Sequence, residues 1–390
     1  MYKKPHQTGN RSYKSKSNNK YKRKRPPQKA YHSSRQPNMS RRRRRKRKKT
    51  KKIILLSIVS LLFLAIFFIT SYAISIISKF QHEDIDKNDI GINEELFSKD
   101  ELGITNIALL GVDDNGTSDA IIIVSINTNN KKIKMVSILR DSLVKVAPKG
   151  KKPYYTKINE AFGNGGVETT LRAINSNFSL NVKDYISINF DGLANIIDQI
   201  DGIDINITKE EAEHINGLIA STKGHQNCPQ IEGYGDVHLN GIQAIEYSRI
   251  RKKLNQNGQR DDYGRTDRQR AVLEMILSKV KQMPYTEIPG LIETFLPYMK
   301  TSLHLNKILS LSKILKSNEI SISQTRVPMV EYTINEGYNI TVNGTSKSTV
   351  YYNLKYAGKL INAFIYDDVV PEDYIKEHPP VLTKGPLDNN

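Results

Sequence analysis

Tryptophan is absent from the 390 residues, and Cys228 is the only cysteine. A lone thiol closes no internal disulfide and builds no cysteine-based zinc cluster, so the fold must rest on its core. A chain of this size can bury enough apolar surface to do so. Length alone allows two domains or one larger α/β domain. No Gly-x-Ser-x-Gly turn and no His-Glu-x-x-His helix occurs, which takes support from ordinary esterase and zincin readings. No internal repeat of roughly 20 to 50 residues is present either. The most telling absence is of acidic residues: residues 1–52 hold 23 Lys and Arg and no Asp or Glu. The rest of the chain then has 59 − 23 = 36 basic against 40 acidic residues, so the net charge of +19 belongs wholly to the tail. A high pI is therefore no argument that the folded part binds nucleic acid.

The tail is rich in Lys, Arg, Ser, Asn, Gln and Pro, a composition that forms no core and predicts disorder over 1–52. Residues 53–78 follow, 26 residues without a charge. As a helix they extend about 39 Å, against a hydrocarbon core of about 30 Å. The charge asymmetry predicts a transmembrane signal-anchor helix with the tail in the cytoplasm and the C-terminal part outside. A cleavable signal is the rival; the long apolar run and the lack of a small-x-small site after it favour a retained anchor. For the dense run from Arg41 to Lys52, topology and contact with anionic lipid are more economical readings than nucleic acid.

Residues 79–102, with Glu83, Asp84, Asp86, Asp89, Glu94 and Glu95, read as an extracellular linker. The folded domain is expected over 103–368, with 369–390 a loose C-terminal tail. Apolar patterning predicts strands at 104–112, 120–127 and 133–139. If these run up, down and up, Asp113, Asp119 and Arg140 share one edge of the sheet. Two carboxylates there suit Mg²⁺, a hard cation that keeps waters and phosphate oxygens beside its protein ligands. As isolated turn residues Asp113, Asp114 and Asp119 would be structural. Gly163 to Gly166 lacks the ending of a P-loop and reads as the start of a helix over 167–177. A strand at 185–190, a helix at 192–200 and a strand at 203–207 argue for a layered α/β fold. Residues 208–238, with His214, His225, Cys228, Glu232 and His238 at irregular spacings, read as a surface insertion rather than a metal site. Helices within 284–297 and 307–315, strands at 321–327 and 338–342, and strand and helix within 351–364 complete the domain.

The stretch 247–277 organises the rest. Val272, Leu273, Ile276, Leu277 and Val280 recur at helical spacing, and Thr266 with Gln269 fits a capping box at the helix start. Arg265, Arg268 and Arg270 are then unfavourable at a helix N-terminus unless an anion joins them, and guanidinium forks with free N–H groups suit phosphate. Arg249 and Arg251, if extended, point to one side. The bland alternative is a solvated basic loop partnered by Asp261 and Asp262.

Taken together, Asn106-Ile-Ala-Leu-Leu-Gly-Val-Asp113, Ser118-Asp119, Val136-Ser-Ile-Leu-Arg140-Asp141, Lys157-Ile-Asn159, Leu239-Asn-Gly241, Tyr247-Ser-Arg-Ile-Arg251 and Asp262-Tyr-Gly-Arg265 through Arg268-Gln269 resemble the LytR-CpsA-Psr family. Each motif alone is weak; their joint order, after a basic tail and one apolar span, is specific. The resemblance implies a three-layer α/β/α sandwich around a mixed sheet, preceded by one transmembrane helix. It also implies a pocket for a polyprenyl lipid with its pyrophosphate head, and we expect an apolar tunnel that opens near the arginines. The implied activity is Mg²⁺-dependent transfer of a glycopolymer, such as teichoic acid or capsule, from a polyprenyl-diphosphate carrier to peptidoglycan. Carried over by position, Asp113 and Asp119 resemble the metal ligands. Arg140, Arg249, Arg251, Arg265, Arg268 and Gln269 resemble the pyrophosphate-contacting set, and Asp141 and Asp262 the acids that orient it. Of these, Arg140, Arg249, Arg251, Arg265 and Asp113 are the expected catalytic residues, with the general base left open between Asp113 and another acid. The Asp113 to Asp119 loop is short for the family, and Leu139 stands where Pro is common. The rival reading is a non-catalytic envelope receptor or a regulator acting through the tail.

Overall fold

The computed structural model describes residues 39–380 except 114, 285, 318, 330–334 and 343. The tail up to residue 38, Asp114 and residues 381–390 lie outside the described residues. The chain divides after residue 69 into two units, each taken by itself. Helix α1 spans Met39–Lys79. Its stretch Ile54–Lys79 is long and apolar enough to cross a membrane, one residue displaced from the expected span. Leu56, Leu61 and Phe63 stand exposed along it, a state that hydrocarbon favours and water does not.

In the second unit the strands are β1 (Gln81–His82), β2 (Ile104–Val112), β3 (Ser118–Asn127), β4 (Lys132–Ile138), β5 (Leu143–Val146), β6 (Tyr154–Lys157), β7 (Asp184–Asn189), β8 (Ile203–Ile207), β9 (Gly235–Leu239), β10 (Met299–Thr301), β11 (Ser321–Val327), β12 (Asn335–Val342) and β13 (Thr345–Tyr351). The helices are α2 (Glu160–Phe178), α3 (Phe190–Gln199), α4 (Lys209–Ser221), α5 (Gly241–Arg249), α6 (Asp261–Gln282), α7 (Ile288–Phe295), α8 (Leu305–Ser312), α9 (Leu354–Asp367) and α10 (Pro371–Glu377).

Seven strands form one mixed sheet in the order β1-β10-β7-β2-β3-β4-β11. β7 lies parallel to β2 and β11 to β4, while the meander β2-β3-β4 is antiparallel as the sequence predicts. Alternation along the strands gives two apolar faces. Ala108, Leu110, Ile121, Ile123, Val136 and Ile138 pack into a core with α2 and α9. Ile107, Ile122, Ile126, Ile133 and Met135 face the other way, toward Leu273 and Leu277 of α6 and Leu311 of α8. Strands apolar on both faces need covering on both faces, and the outcome is the expected α/β/α sandwich. A third core gathers α3 to α7 around the ribbon β8-β9.

Four expectations are corrected. Residues 79–102 are no free linker: β1 joins the sheet edge, Ile90 is buried in the core, and Arg172 holds Asp89 at 2.7 Å. An isoleucine with no exposed surface has a packing partner, which the acidic composition of this stretch conceals. Ile203–Ile207 leaves the main sheet and pairs with Gly235–Leu239. Residues 208–238 are not a loose surface insertion, because α4 buries Ile215, Ile219 and the carboxylate of Glu211. The C-terminal tail forms α10 after Asp368, with the Tyr356 hydroxyl donating to the His378 carbonyl at 2.7 Å. The Gly-rich turn behaves as expected: Gly165 and Gly166, the latter at φ 68°, break α2 before the helix resumes at Val167.

Candidate anion site at the end of the sheet

The site grows from the β2-β3-β4 meander. Gly111 pairs with Ala120 and Val112 with Ser118, so Asp119 is the extra residue of a bulge. A bulge re-aims the side chain it carries, and here Arg140, just past β4, donates from Nη1 to Asp119 Oδ1. The segment after β6 is tied to the same corner, since Ser118 N–H donates to the Asn159 carbonyl at 3.1 Å and Asn159 N–H to the Arg140 carbonyl at 3.2 Å.

Two carboxylates organise the cations. Asp262 Oδ1 lies 2.6 Å from Arg265 Nη2, 3.4 Å from Arg251 Nε and 3.8 Å from Arg140 Nε. Asp141 Oδ1 lies 3.1 Å from Lys157 Nζ and 3.8 Å from Arg140 Nε. Four cations, Arg140, Lys157, Arg251 and Arg265, thus surround three carboxylates, Asp119, Asp141 and Asp262, an excess of 4 − 3 = 1 positive charge. Burial and a hydrogen bond with Asp141 push the Asp262 carboxyl upward. Burial also works against the Asp141 carboxylate, but the Asp262 hydrogen bond and the charges of Lys157 and Arg140 outweigh it and hold it low. Any protonation of Asp262 enlarges the positive excess. Burial, with Arg140 and Arg251 nearby, brings Arg265 down to about 10, which still leaves it charged at neutral pH. The Nε–H groups of Arg140, Arg251 and Arg265 are all buried and none has a hydrogen-bond acceptor of good geometry. Buried donors seldom remain unpaired, and three guanidinium donors at one corner fit an oxyanion with several acceptor oxygens.

The helix that carries Arg265 starts at Asp261, five residues before the predicted start. Thr266 is no cap; its hydroxyl donates to the Asp262 carbonyl within the helix at 2.8 Å. Asp261 and Asp262 occupy the first turn, as the dipole prefers, so Arg265 acts from inside the helix and not through its terminus.

The other expected contacts divide. Gln269 Nε2 reaches the Asp119 carbonyl at 3.4 Å and joins α6 to β3. Arg249 is half exposed at the end of α5, above the Phe190 ring at 5.2 Å and 3.8 Å from Glu246 Oε1, and is not extended with Arg251. Arg268 departs furthest from expectation. It is 0% exposed, with Nε donating to Glu211 Oε1 at 2.6 Å, Nη1 to the Ile250 carbonyl at 3.0 Å and Nη2 to the Lys253 carbonyl at 2.7 Å. Its fork is spent on protein groups, so it braces the segment that carries Arg251. Glu211 and Glu246 escaped the sequence reading; Thr208-x-x-Glu211, the real capping box of α4, was the available signal for the first.

Asp113 lies one residue beyond β2 and is held by its own turn. Thr117 N–H donates to Oδ1 at 2.7 Å and Asn115 Nδ2 to Oδ2 at 3.3 Å. Burial opposes ionisation, but these bonds prevail and keep the carboxyl below its ordinary range. Among the described residues no group of three or more His, Cys, Asp or Glu is placed to cage a metal. Mg²⁺ commonly uses one or two carboxylates and completes its shell with water and substrate phosphate. Asp113 and Asp119 stand on adjoining strand ends, the first held by its own turn and the second paired with Arg140.

The expected tunnel has no direct counterpart in the described cavities. One, of about 310 Å³, lies at the opposite end of the sheet beside Ile104, Lys132 and Asp368. A second, of about 280 Å³, lies beside Asn206, Asn255 and Glu274. The sheet face under α6 is nonetheless the looser one: Leu109, Val124, Ile186, Leu273 and Leu277 are only half-buried there.

An α/β/α domain that follows a candidate membrane span in sequence and gathers guanidinium groups at one end of its sheet belongs to the layered α/β class. The chain belongs to the LytR_cpsA_psr family, whose sequence profile matches residues 68–356. It is 33% identical over 198 residues to the polyisoprenyl-teichoic acid–peptidoglycan teichoic acid transferase TagU of Bacillus mycoides (strain KBAB4), a match that covers 50% of this chain and 58% of that protein, less than two thirds of its length. Among solved structures it resembles protein gbs0355 from Streptococcus agalactiae, with a TM-score of 0.54 and 24% identity over 72% of this chain and 97% of the other. Bacillus subtilis TagV gives a TM-score of 0.52 at 23% identity over 69% and 99%. These likenesses establish the fold.

Proposed function

We propose that this protein is a membrane-anchored phosphotransferase that moves a glycopolymer, whether teichoic acid, capsule or a related polymer, from a polyprenyl-diphosphate carrier to peptidoglycan. The observation that carries the proposal is the trio of buried Nε–H donors without acceptors on Arg140, Arg251 and Arg265. A pyrophosphate supplies oxygens to all three, and the transferase name of the Bacillus mycoides relative agrees with that use.

The reaction balances simply. A peptidoglycan hydroxyl attacks the phosphorus that bears the glycopolymer, a new P–O bond forms, the bond to the second phosphate breaks, and polyprenyl phosphate and one proton leave. Charge develops on the transferred and departing phosphates, where Arg140, Arg251 and Arg265 stand pre-arranged by Asp141 and Asp262. Arg249, half exposed above the Phe190 ring, adds a further fork. Arg268 acts through the Ile250 to Lys253 segment, and Gln269 through Asp119. Asp113 and Asp119 would hold Mg²⁺, which when bound neutralises phosphate charge. The lowered pKa of Asp113 makes it a weak proton acceptor, so it serves better as a ligand than as the general base. The half-buried layer under α6 is the place for isoprene units. With the basic tail inside, the domain stands outside the membrane beside its acceptor.

The test is reconstitution of the full chain with a synthetic lipid-diphosphate disaccharide, Mg²⁺ and uncrosslinked peptidoglycan. Phosphodiester-linked product with released polyprenyl phosphate is expected. Tight lipid-diphosphate binding without product overturns the proposal in favour of an envelope receptor.

A further inference from the structure

The last residue of the apolar span and the residues that follow it are fastened to one edge of the domain. Lys79 Nζ pairs with Glu293 of α7 at 2.7 Å, and Gln81 Nε2 donates to the Pro297 carbonyl at 2.6 Å. β1 pairs with β10. The His82 ring lies 5.7 Å from Phe80 and 4.6 Å from His304, the residue that opens α8. If Ile54–Lys79 is the anchor, as the function above assumes, the α7-β10-α8 edge is the part of the domain next to the bilayer.

The surface of that edge suits such a neighbour. Leu305, Ile308, Leu309 and Ser312 form one stripe of α8 by spacing. Leu309 is 42% exposed and Leu305 and Ile308 half-buried, whereas Leu311 turns inward. Tyr298, an amphipathic ring of the kind that favours membrane interfaces, is exposed just before β10. The segment 296–316 holds four lysines and no acidic residue, and Lys300, Lys307 and Lys313 are exposed. A basic rim around protruding apolar side chains is the pattern of an interfacial helix on anionic lipid.

We propose that α8, with Tyr298 and the lysines around it, docks on an anionic bilayer surface. Ile308 packs in the same apolar layer as Leu273 and Leu277, so docking makes that layer continuous with the membrane and lets an isoprenoid chain pass from lipid to the site without crossing water.

The test uses the full chain with Cys228→Ser and a single dye-labelled cysteine at Leu309→Cys, or, as control, at Val370→Cys. Val370 is 52% exposed beside α9 and α10, across the sheet from α8. Proteoliposomes carry phosphatidylglycerol and phosphatidylcholine with brominated acyl chains. Quenching several-fold stronger at 309 than at 370 is expected, and Lys307→Glu with Lys313→Glu should lower it in anionic vesicles. Equal quenching at the two positions overturns the docking, and an unchanged signal after charge reversal overturns the role of anionic lipid. The same vesicles are assayed for transfer: transfer without quenching defeats the docking alone, and quenching without transfer defeats the transferase reading alone.

Discussion

Replacing Glu211 by Gln separates bracing from binding at Arg268. The guanidinium and the carboxylate are both fully buried, 2.6 Å apart. Glu211 Oε2 also accepts the Thr208 N–H at 2.8 Å, a bond that the amide oxygen of Gln can keep, so the substitution removes charge and leaves the start of α4 intact. Removing one partner of a buried pair strands the other charge and costs about 3 to 5 kcal/mol. At about 1.4 kcal/mol per factor of ten, the folded-to-unfolded ratio falls on the order of a hundredfold to a few thousandfold. In a domain of this size the melting temperature drops by on the order of ten degrees. Circular dichroism on the full chain in detergent reads the change without need of tryptophan. Because Arg268 bonds the carbonyls of Ile250 and Lys253, the protein that remains folded should also bind lipid diphosphate more weakly through a displaced Arg251. A melting temperature equal to the parent's would refute the bracing role. A lowered one with parental lipid affinity would show that Arg251 is positioned by something else.

Arg251→Ala or Arg265→Ala each removes a charge-assisted fork worth about 1.5 to 3 kcal/mol, so titration calorimetry with a polyprenyl diphosphate should show affinity about tenfold or more lower. Asp119→Ala should weaken transfer and its loss on Mg²⁺ chelation while much of the lipid binding stays; parental transfer with an unchanged response to chelator would make the carboxylate structural. Hydrogen bonds from Lys132 and Lys134 hold the Asp368 carboxyl below its ordinary 3.8, so its contribution is full above that pH and fades as pH falls below it. Asp368→Asn should accordingly melt lower than the parent at pH 7, with the gap closing in acid; a gap independent of pH removes the charge from the explanation. A reporter fused after Asn390 should be active only outside the cytoplasm, and cytoplasmic activity would reverse the orientation.

The sandwich was legible because its strands are apolar on both faces and because the β2-β3-β4 meander follows from short polar turns. That meander alone predicts that Asp119 and Arg140 meet, and they do. What stayed hidden depends on contacts distant in sequence. Ile90 is one apolar residue in an acidic stretch, and only tertiary packing decides that it belongs to the core. Met299–Thr301 is a three-residue strand fixed by its neighbours in the sheet rather than by its own pattern. Arg268 and Glu211 lie 57 positions apart, and nothing local marks either as a buried charge.

The helix dipole does not account for the arginine cluster. Placing the helix start at Thr266 made the dipole the reason for an anion, yet the helix opens with Asp261 and Asp262 and its terminus is already compensated. The spare donors of the cluster arise from geometry. Asp262 Oδ1 lies 3.4 Å from Arg251 Nε and 3.8 Å from Arg140 Nε and meets Arg265 through Nη2 at 2.6 Å, an arrangement that leaves all three Nε–H groups without a well-aligned acceptor. On the proposed function a pyrophosphate would supply acceptors, since its oxygens spread over two phosphorus centres while Asp262 still fixes the three forks. On the same proposal the acids keep the cations in place: with Asp141 and Asp262 removed, four cations would repel one another and lose their arrangement. Retained, these carboxylates hold the four cations together, and the proposed substrate would answer the donors they leave spare.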